Sequence, residues 1–234
     1  MQVVRMGCVT PLLDAWCARN ADVARARAFA RRVHAEDRRN FTGEPFFFHT
    51  ERATESLLED GVVDLDVVKA TLVHDAHEDH PDTVSVQEVV EVVGWRAAQI
   101  AASVTKPREW KRLPKEEVVR RMFARMRAGP AEAWLTKCAD LNDNLRDWPI
   151  RALPWGYLKT GERIRDAASV AARGVRVMPA VARRLDDTLA QVRYAKEASE
   201  AYRRPKPAGV TSLPEVMGFR RAEEPRKNTM PEWE

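Results

Sequence analysis

The chain has 234 residues, 44% of them hydrophobic, which is enough to bury one sizeable core. Its 39 basic residues are nearly matched by 35 acidic ones, so the formal charge of +4 excludes a polycation and tolerates an anionic ligand without requiring nucleic acid. The three cysteines form no CxxC pair, the opening segment is too weakly apolar for a signal peptide, and no run of about 18 apolar residues occurs. We therefore expect a soluble cytoplasmic protein without a zinc ribbon or a membrane partner.

Hydrophobic residues recur at helical spacing along the first hundred residues. The segments with this spacing are separated by breakers, such as Gly43 and Pro45. Asp64 and Ser85 are suited to cap the helices that follow them, and Glu88 completes a capping box with Ser85. In chain order, the predicted helices of this half cover about residues 21–39, 49–60, 64–79, 85–93 and 95–104.

The helical pattern continues as far as residue 202. A predicted helix over 115–128 ends at Gly129, and Pro130 suits the first turn of the helix over 131–147. That helix has an apolar stripe beside a polar one, and the polar residues are Lys137, Asp140, Asn144 and Asp147. Two longer helices are predicted over about 154–173 and 178–202.

The alternating pattern of a β-strand occurs nowhere, so the sequence predicts an all-α fold of about eight to ten helices. We assign residues 1–204 to a single domain. Residues 205–234 are rich in proline and have no helical period, and we expect them to form a flexible tail.

Residues 72–80 read LVHDAHEDH and concentrate histidines and carboxylates. On the predicted helix, His74 and Glu78 are four residues apart, as are Asp75 and Asp79, so the two pairs project from adjacent strips of one surface. Charges that emerge from an otherwise apolar helix are costly to bury unless a counter-charge neutralises them. A bound cation would do so.

One His and one Asp cannot hold a divalent ion by themselves, so further ligands must come from elsewhere in the chain. His49, which follows the aromatic run PFFF, and Asp140 are the candidates. With His74 and Asp75 they would offer two nitrogen and two oxygen donors. This set suits one Mn²⁺ or Fe²⁺ per chain, leaves Zn²⁺ open as a third choice, and keeps positions free for water.

Four segments together resemble the HD phosphohydrolases. They are HAEDRRNFTGEPFFFH (34–49), LVHDAHED (72–79), SVTKPREWKRLPKEEVVRR (103–121) and KCADLNDNLRDW (137–148). Their order and spacing are similar to those of the Rel/SpoT alarmone hydrolases, in particular the small stand-alone branch of metazoan SpoT homologues. The resemblance implies an HD-domain helical bundle that removes the 3′-pyrophosphate of (p)ppGpp or (p)ppApp and has no synthetase activity.

The resemblance also implies roles for individual residues. Four positions match the family's metal ligands, and these are His49, His74, Asp75 and Asp140. Two match the acidic pair that positions and deprotonates the attacking water and handles the leaving group, and these are Glu78 and Asp79. Three match nucleotide contacts, namely Arg39 at the base, Lys115 at a phosphate and Asn144 in the pocket.

The chain departs from the family at a few of these positions. Asp143 stands where His or Tyr is common, and His77 and His80 replace a small or apolar residue and a Thr. We interpret His34 as structural and both His77 and His80 as exposed helix-end residues, with a second metal left open.

Two other functions fit the same residues. One is an HD-type phosphatase for another nucleotide, such as NADPH or a deoxynucleotide, since the metal site determines the reaction type better than the base. The other is a non-catalytic nucleotide-binding protein. We expect a nucleotide substrate and no nucleic-acid partner, and the sequence leaves the base and a homo-oligomeric state open.

Overall fold

The structure is a computed structural model that describes residues 10–203. Within this range the chain forms eleven α-helices, ten of them with eight or more residues, one 3₁₀ helix over Arg108–Arg112 and no β-strand. The predicted all-α class is therefore confirmed. The predicted tail, residues 205–234, lies outside the described range, and the domain boundary at 204 stays a prediction.

The helices have these bounds. They are α1 (Pro11–Arg19), α2 (Ala21–Val33), α3 (Phe47–Glu59), α4 (Leu65–Val73), α5 (Ala76–Asp79), α6 (Val86–Val93), α7 (Trp95–Val104), α8 (Lys115–Ala128), α9 (Ala133–Asp147), α10 (Trp155–Ala171) and α11 (Met178–Arg203). Residues up to Lys196 belong to one compact unit, and the end of α11 belongs to a second. None of the described helices is both long and apolar enough to cross a bilayer.

Helices α3 and α4 lie at the centre of the bundle. Helix α3 packs against α9 and α4, and α4 packs in turn against α2 and α7. The predicted apolar stripe of α9 is buried, as its residues Trp134, Cys138, Leu141 and Leu145 show. Because α3 packs against α9, polar residues such as His49 and Asp140 are held inside the protein.

The predicted caps Asp64 and Ser85 are confirmed, whereas the Glu88 side chain of the predicted capping box accepts a hydrogen bond from Arg32 at 2.9 Å. The Asp64 carboxylate accepts hydrogen bonds from the N–H groups of Asp66 at 2.8 Å and Val67 at 3.4 Å, and the Ser85 hydroxyl accepts one from the Glu88 N–H at 3.0 Å. Such side-chain bonds satisfy N–H groups that have no partner within the helix.

The single helix predicted over residues 64–79 is wrong, because it divides into α4 and the four-residue α5. The break falls at His74, whose Nδ1 bonds to the Thr71 carbonyl at 2.8 Å. In a continuous helix that carbonyl would accept the N–H of Asp75, so the imidazole competes with the helical ladder. The break places His74 and Asp75 on a turn.

Helix α1 and the 3₁₀ helix were not predicted. Thr10, which precedes α1, makes no side-chain cap. The Glu55 carboxylate of α3 caps the start of α1 instead. It accepts hydrogen bonds from the N–H groups of Leu12 at 2.9 Å and Leu13 at 2.8 Å. The cap is therefore formed by a residue far away in sequence.

Glu51 is expected to stabilise the fold through two arginines. Its side chain is 1% exposed and accepts hydrogen bonds from Arg27 at 2.9 Å and Arg31 at 2.5 Å. Glu51→Gln would leave the Arg27 guanidinium, which is 15% exposed, with the exposed Asp14 carboxylate as its remaining counter-charge, so we expect the free energy of unfolding to fall by about 2 kcal/mol. Urea denaturation at pH 7 measures this, and the exposed Glu116→Gln should change it by less than about 0.5 kcal/mol.

The same ion pairs make stability depend on pH. Burial opposes ionisation of Glu51, but the two arginines outweigh it and lower the pKa of Glu51 below its ordinary 4.5. The unfolded chain then takes up the proton at a higher pH than the folded chain, so the contribution is present above about pH 4.5 and is lost as the pH falls further. If the free energies of unfolding of the wild type and Glu51→Gln differed by the same amount well above and well below pH 4.5, Glu51 would not be the source of this pH dependence.

Candidate metal centre

The four predicted ligand residues meet in the interior of the bundle. His49 lies in the first turn of α3, Asp140 lies within α9, and His74 and Asp75 form the turn between α4 and α5. One ligand atom of each lies within 4.8 Å of the ligand atoms of the other three. We call this group the four-residue centre.

The nitrogens of the four-residue centre face its carboxylates. His49 Nε2 lies 3.2 Å from an Asp140 oxygen and 3.6 Å from an Asp75 oxygen. His74 Nε2 lies 3.1 Å from Asp75 and 3.7 Å from Asp140. The two imidazoles are 1% and 3% exposed, so this arrangement is shielded from solvent.

The outer nitrogens of both imidazoles are already engaged. His74 Nδ1 lies 2.8 Å from the Thr71 carbonyl, which can only accept, so Nδ1 carries the proton and Nε2 offers a lone pair. His49 Nδ1 lies 2.8 Å from an Asp143 carboxylate oxygen. Both Nε2 atoms are buried without a hydrogen-bond partner. Two such nitrogens beside two carboxylates fit a divalent cation.

The pKa shifts in the four-residue centre also indicate that it stabilises positive charge. Burial disfavours a charged imidazole, but Asp75 and Asp140 outweigh it and raise the pKa of His74 well above its ordinary value. Burial likewise opposes ionisation of Asp140, and Lys137 together with the two imidazoles holds its pKa well below the ordinary value. The ionised carboxylates therefore attract protons or a metal to the same place.

Asp143 supports His49 from behind. Besides bonding to His49 Nδ1, it accepts hydrogen bonds from Arg52 at 2.6 and 3.0 Å. Burial alone would raise its pKa, but His49 and Arg52 hold the pKa of Asp143 at about 2. The sequence marks Asp143 only as a departure from the family, although its position three residues after Asp140 places it near the same helix face.

Glu78 and Asp79 lie in different environments. Glu78 accepts a hydrogen bond from the Lys106 N–H at 2.6 Å and forms an ion pair with the Lys106 ammonium group. The Asp79 side chain reaches solvent, but neighbouring protein atoms displace part of its hydration shell. This desolvation and the negative charges of Asp75 and Glu78 raise the pKa of Asp79 to about 6. One carboxylate is therefore fixed, whereas the other can change its protonation state near neutral pH.

Two of the three predicted nucleotide contacts lie together. Arg39 donates hydrogen bonds to Asn144 and Asp147, both at 2.8 Å. Asn144 in turn donates to Asp140 at 2.5 Å. Arg39 and Asn144 line a cavity of about 430 Å³ with Phe41 and other aromatic residues, which we call the aromatic cavity.

Lys115 lies apart from these residues. It is exposed at the first residue of α8 and lines neither the aromatic cavity nor a second cavity of about 230 Å³ beside Glu78. Lys106, Arg108 and Arg125 line this second cavity. The sequence places Lys106 in the family-like segment 103–121 but does not single it out.

The prediction that His77 and His80 are exposed is wrong. Both are partly buried. His77 Nδ1 bonds to the Val84 carbonyl at 2.7 Å, and His80 Nε2 lies 2.6 Å from an Asp37 oxygen. The loop after α5 covers His77, whereas the loop after α2 provides the partner of His80.

Comparisons with known proteins agree with this fold. The sequence matches no protein-family model. It is 31% identical over 171 residues to the human protein named guanosine-3′,5′-bis(diphosphate) 3′-pyrophosphohydrolase MESH1, covering 72% of this chain and 91% of the human protein. The mouse protein of that name is 30% identical, with 74% and 93% covered. The solved structure of a metazoan SpoT orthologue superposes with a TM-score of 0.60 at 24% identity, covering 74% and 96% of the two chains, and shows the same fold.

Proposed function

The chain belongs to the family of guanosine-3′,5′-bis(diphosphate) 3′-pyrophosphohydrolases, and we propose that it removes the 3′-pyrophosphate of (p)ppGpp or (p)ppApp. The observation that carries this proposal is the four-residue centre, where two buried imidazole nitrogens without a protein partner face two carboxylates. A cation in such a site accelerates hydrolysis of a phosphate ester, because it stabilises the charge that develops on phosphoryl oxygens and acidifies the attacking water.

His49, His74, Asp75 and Asp140 would hold one divalent cation per chain, and their mixed nitrogen and oxygen donors favour Mn²⁺. When bound, the ion supplies Lewis acidity to a phosphoryl oxygen and to water. Other residues of the protein orient the ligands and keep them in the protonation state that binds metal. Asp143 orients His49, and Lys137 keeps Asp140 ionised through an ion pair of 2.6 Å.

Glu78 and Asp79 would handle the protons of the reaction. Glu78 is held in one position by Lys106, which suits a group that orients the attacking water. Asp79 has a pKa of about 6, so it is mostly ionised at pH 7 and can accept a proton from that water. The proton can then be returned to the 3′ oxygen that leaves.

Arg39 and Asn144 would bind the nucleoside. Their place on the wall of the aromatic cavity supports this, because Phe41 and Trp148 offer apolar faces for a base. Arg39 would pack on the base, and Asn144 would connect the pocket with Asp140. Lys115 remains the predicted phosphate contact.

A panel of nucleotides tests the proposal. The full-length chain with Mn²⁺ is expected to release pyrophosphate from ppGpp or ppApp, and no orthophosphate from NADPH or a deoxynucleotide. Release of orthophosphate from the latter two, without pyrophosphate from the former, would indicate the alternative phosphatase. Binding of ppGpp without release of either product would indicate a nucleotide-binding protein.

Asp143 is expected to tune the affinity of the centre for metal. Asp143→Asn removes the negative charge behind His49 but keeps the shape, and loss of such a supporting contact weakens metal binding by about 10- to 100-fold. The Mn²⁺ concentration that gives half-maximal activity and equilibrium dialysis both measure this. The exposed Asp187→Asn is the matched control. An unchanged Mn²⁺ affinity of Asp143→Asn would show that His49 needs no such partner.

A further inference from the structure

A second group of metal-binding side chains lies outside the four-residue centre. It consists of His34, which follows α2, Asp37, in the next loop, and His80, which follows α5. His34 Nδ1 lies 2.7 Å and His80 Nε2 lies 2.6 Å from the same Asp37 oxygen. One ligand atom from each residue lies within 4.8 Å of the other two.

We propose that His34, Asp37 and His80 form a second binding site for a divalent first-row transition metal. Two imidazoles and one carboxylate are a donor set that such metals prefer, with positions left for water or a ligand. His34 and Asp37 come from one segment, 34–37, and His80 from another, so the approach of His80 to the other two is a product of the fold.

Hydrogen bonding within the group leaves part of it unsatisfied. His34 is 0% exposed, and its second ring nitrogen, Nε2, is buried without a hydrogen-bond partner. A buried polar atom without a partner is costly, so the protein's own contacts do not complete the environment of this imidazole. His34 Nδ1 faces Asp37, so Nε2 points from the other edge of the ring and would carry the proton when Nδ1 binds a cation.

The position of the group gives the second metal a role. Asp37 and His80 line the aromatic cavity together with Asp79. A cation held there would offset the three carboxylates that line this cavity, Asp37, Asp79 and Asp147, where the proposed function places the nucleoside. We therefore assign to it an anchoring role for oxygen atoms of an anionic ligand, separate from the four-residue centre.

Metal stoichiometry tests the proposal without reference to catalysis. Equilibrium dialysis of the full-length chain against Co²⁺ is expected to give about two ions per chain, and about one for either Asp37→Asn or His80→Gln. Asp75→Asn, which alters the four-residue centre, should retain one. His77→Gln should keep two, because His77 Nδ1 bonds to the Val84 carbonyl and His77 lies outside the group.

Two results would overturn the second site. One is a single Co²⁺ in the wild type that Asp75→Asn removes. The other is an unchanged count of two in both Asp37→Asn and His80→Gln. Circular dichroism of each variant checks that the fold is kept, and the use of two variants protects the test against the misfolding of one. Because ions are counted, a failure of the proposed hydrolysis would not affect the outcome.

Discussion

Asp75→Asn is expected to lower pyrophosphate release from ppGpp by about 1000-fold or more, and to remove Mn²⁺ from the four-residue centre. The Asp75 carboxylate faces both imidazole nitrogens, at 3.1 and 3.6 Å. Asparagine keeps the shape but loses the charge that binds a divalent ion, and the loss of several kcal/mol of charge stabilisation accounts for the expected rate. Pyrophosphate release under saturating Mn²⁺ and metal content after dialysis are the two measurements.

Asp140→Asn should behave in the same way, since Asp140 faces the same two nitrogens from α9. The matched control is Asp82→Asn on the segment after α5, because its side chain is 79% exposed and, among residues 10–203, forms an ion pair only with exposed Arg108. Near-normal activity of Asp75→Asn, with metal still bound, would mean that the centre lies elsewhere.

The fold of this chain could be predicted where its signals are local. Asp64 and Ser85 cap helices through bonds to N–H groups two or three residues away, so the sequence alone places both helix starts. The start of α1 has no such signal, because the cap comes from Glu55 in another helix. The break at His74 was also missed, since an apolar stripe is the same for a straight helix and for one that a side chain interrupts.

The sequence predicts which residues form the candidate site, but it predicts only some of the contacts between them. His49, His74, Asp75 and Asp140 were expected together from their chemistry and from the family resemblance, and the packing of α3 on α9 brings them together. No periodicity relates Lys106 to Glu78. The group of His34, Asp37 and His80 likewise depends on the approach of the end of α5 to the loop after α2, and this is tertiary information.

Glu78→Gln and Asp79→Asn are expected to lower the turnover of ppGpp by about 100-fold or more while Mn²⁺ stays bound. Neither residue is among the four whose ligand atoms converge, so metal content should equal that of the wild type. The loss comes from proton transfer and from the orientation of water. Single-turnover rates measure it, together with metal analysis of the same samples, and loss of metal from either variant would place that residue among the ligands instead.

The dependence of the rate on pH separates the two carboxylates. A group that accepts a proton must be ionised, so if Asp79 is the acceptor the rate of the wild type should rise as the pH increases through the pKa of Asp79, which is about 6 without metal and lower when a cation offsets the charge of Asp75. In Asp79→Asn this rise should disappear from the residual activity. In Glu78→Gln it should remain but move to lower pH, because the charge of Glu78 is one of the groups that raise the pKa of Asp79. A rise that persists unchanged in Asp79→Asn would assign the proton acceptor to another group.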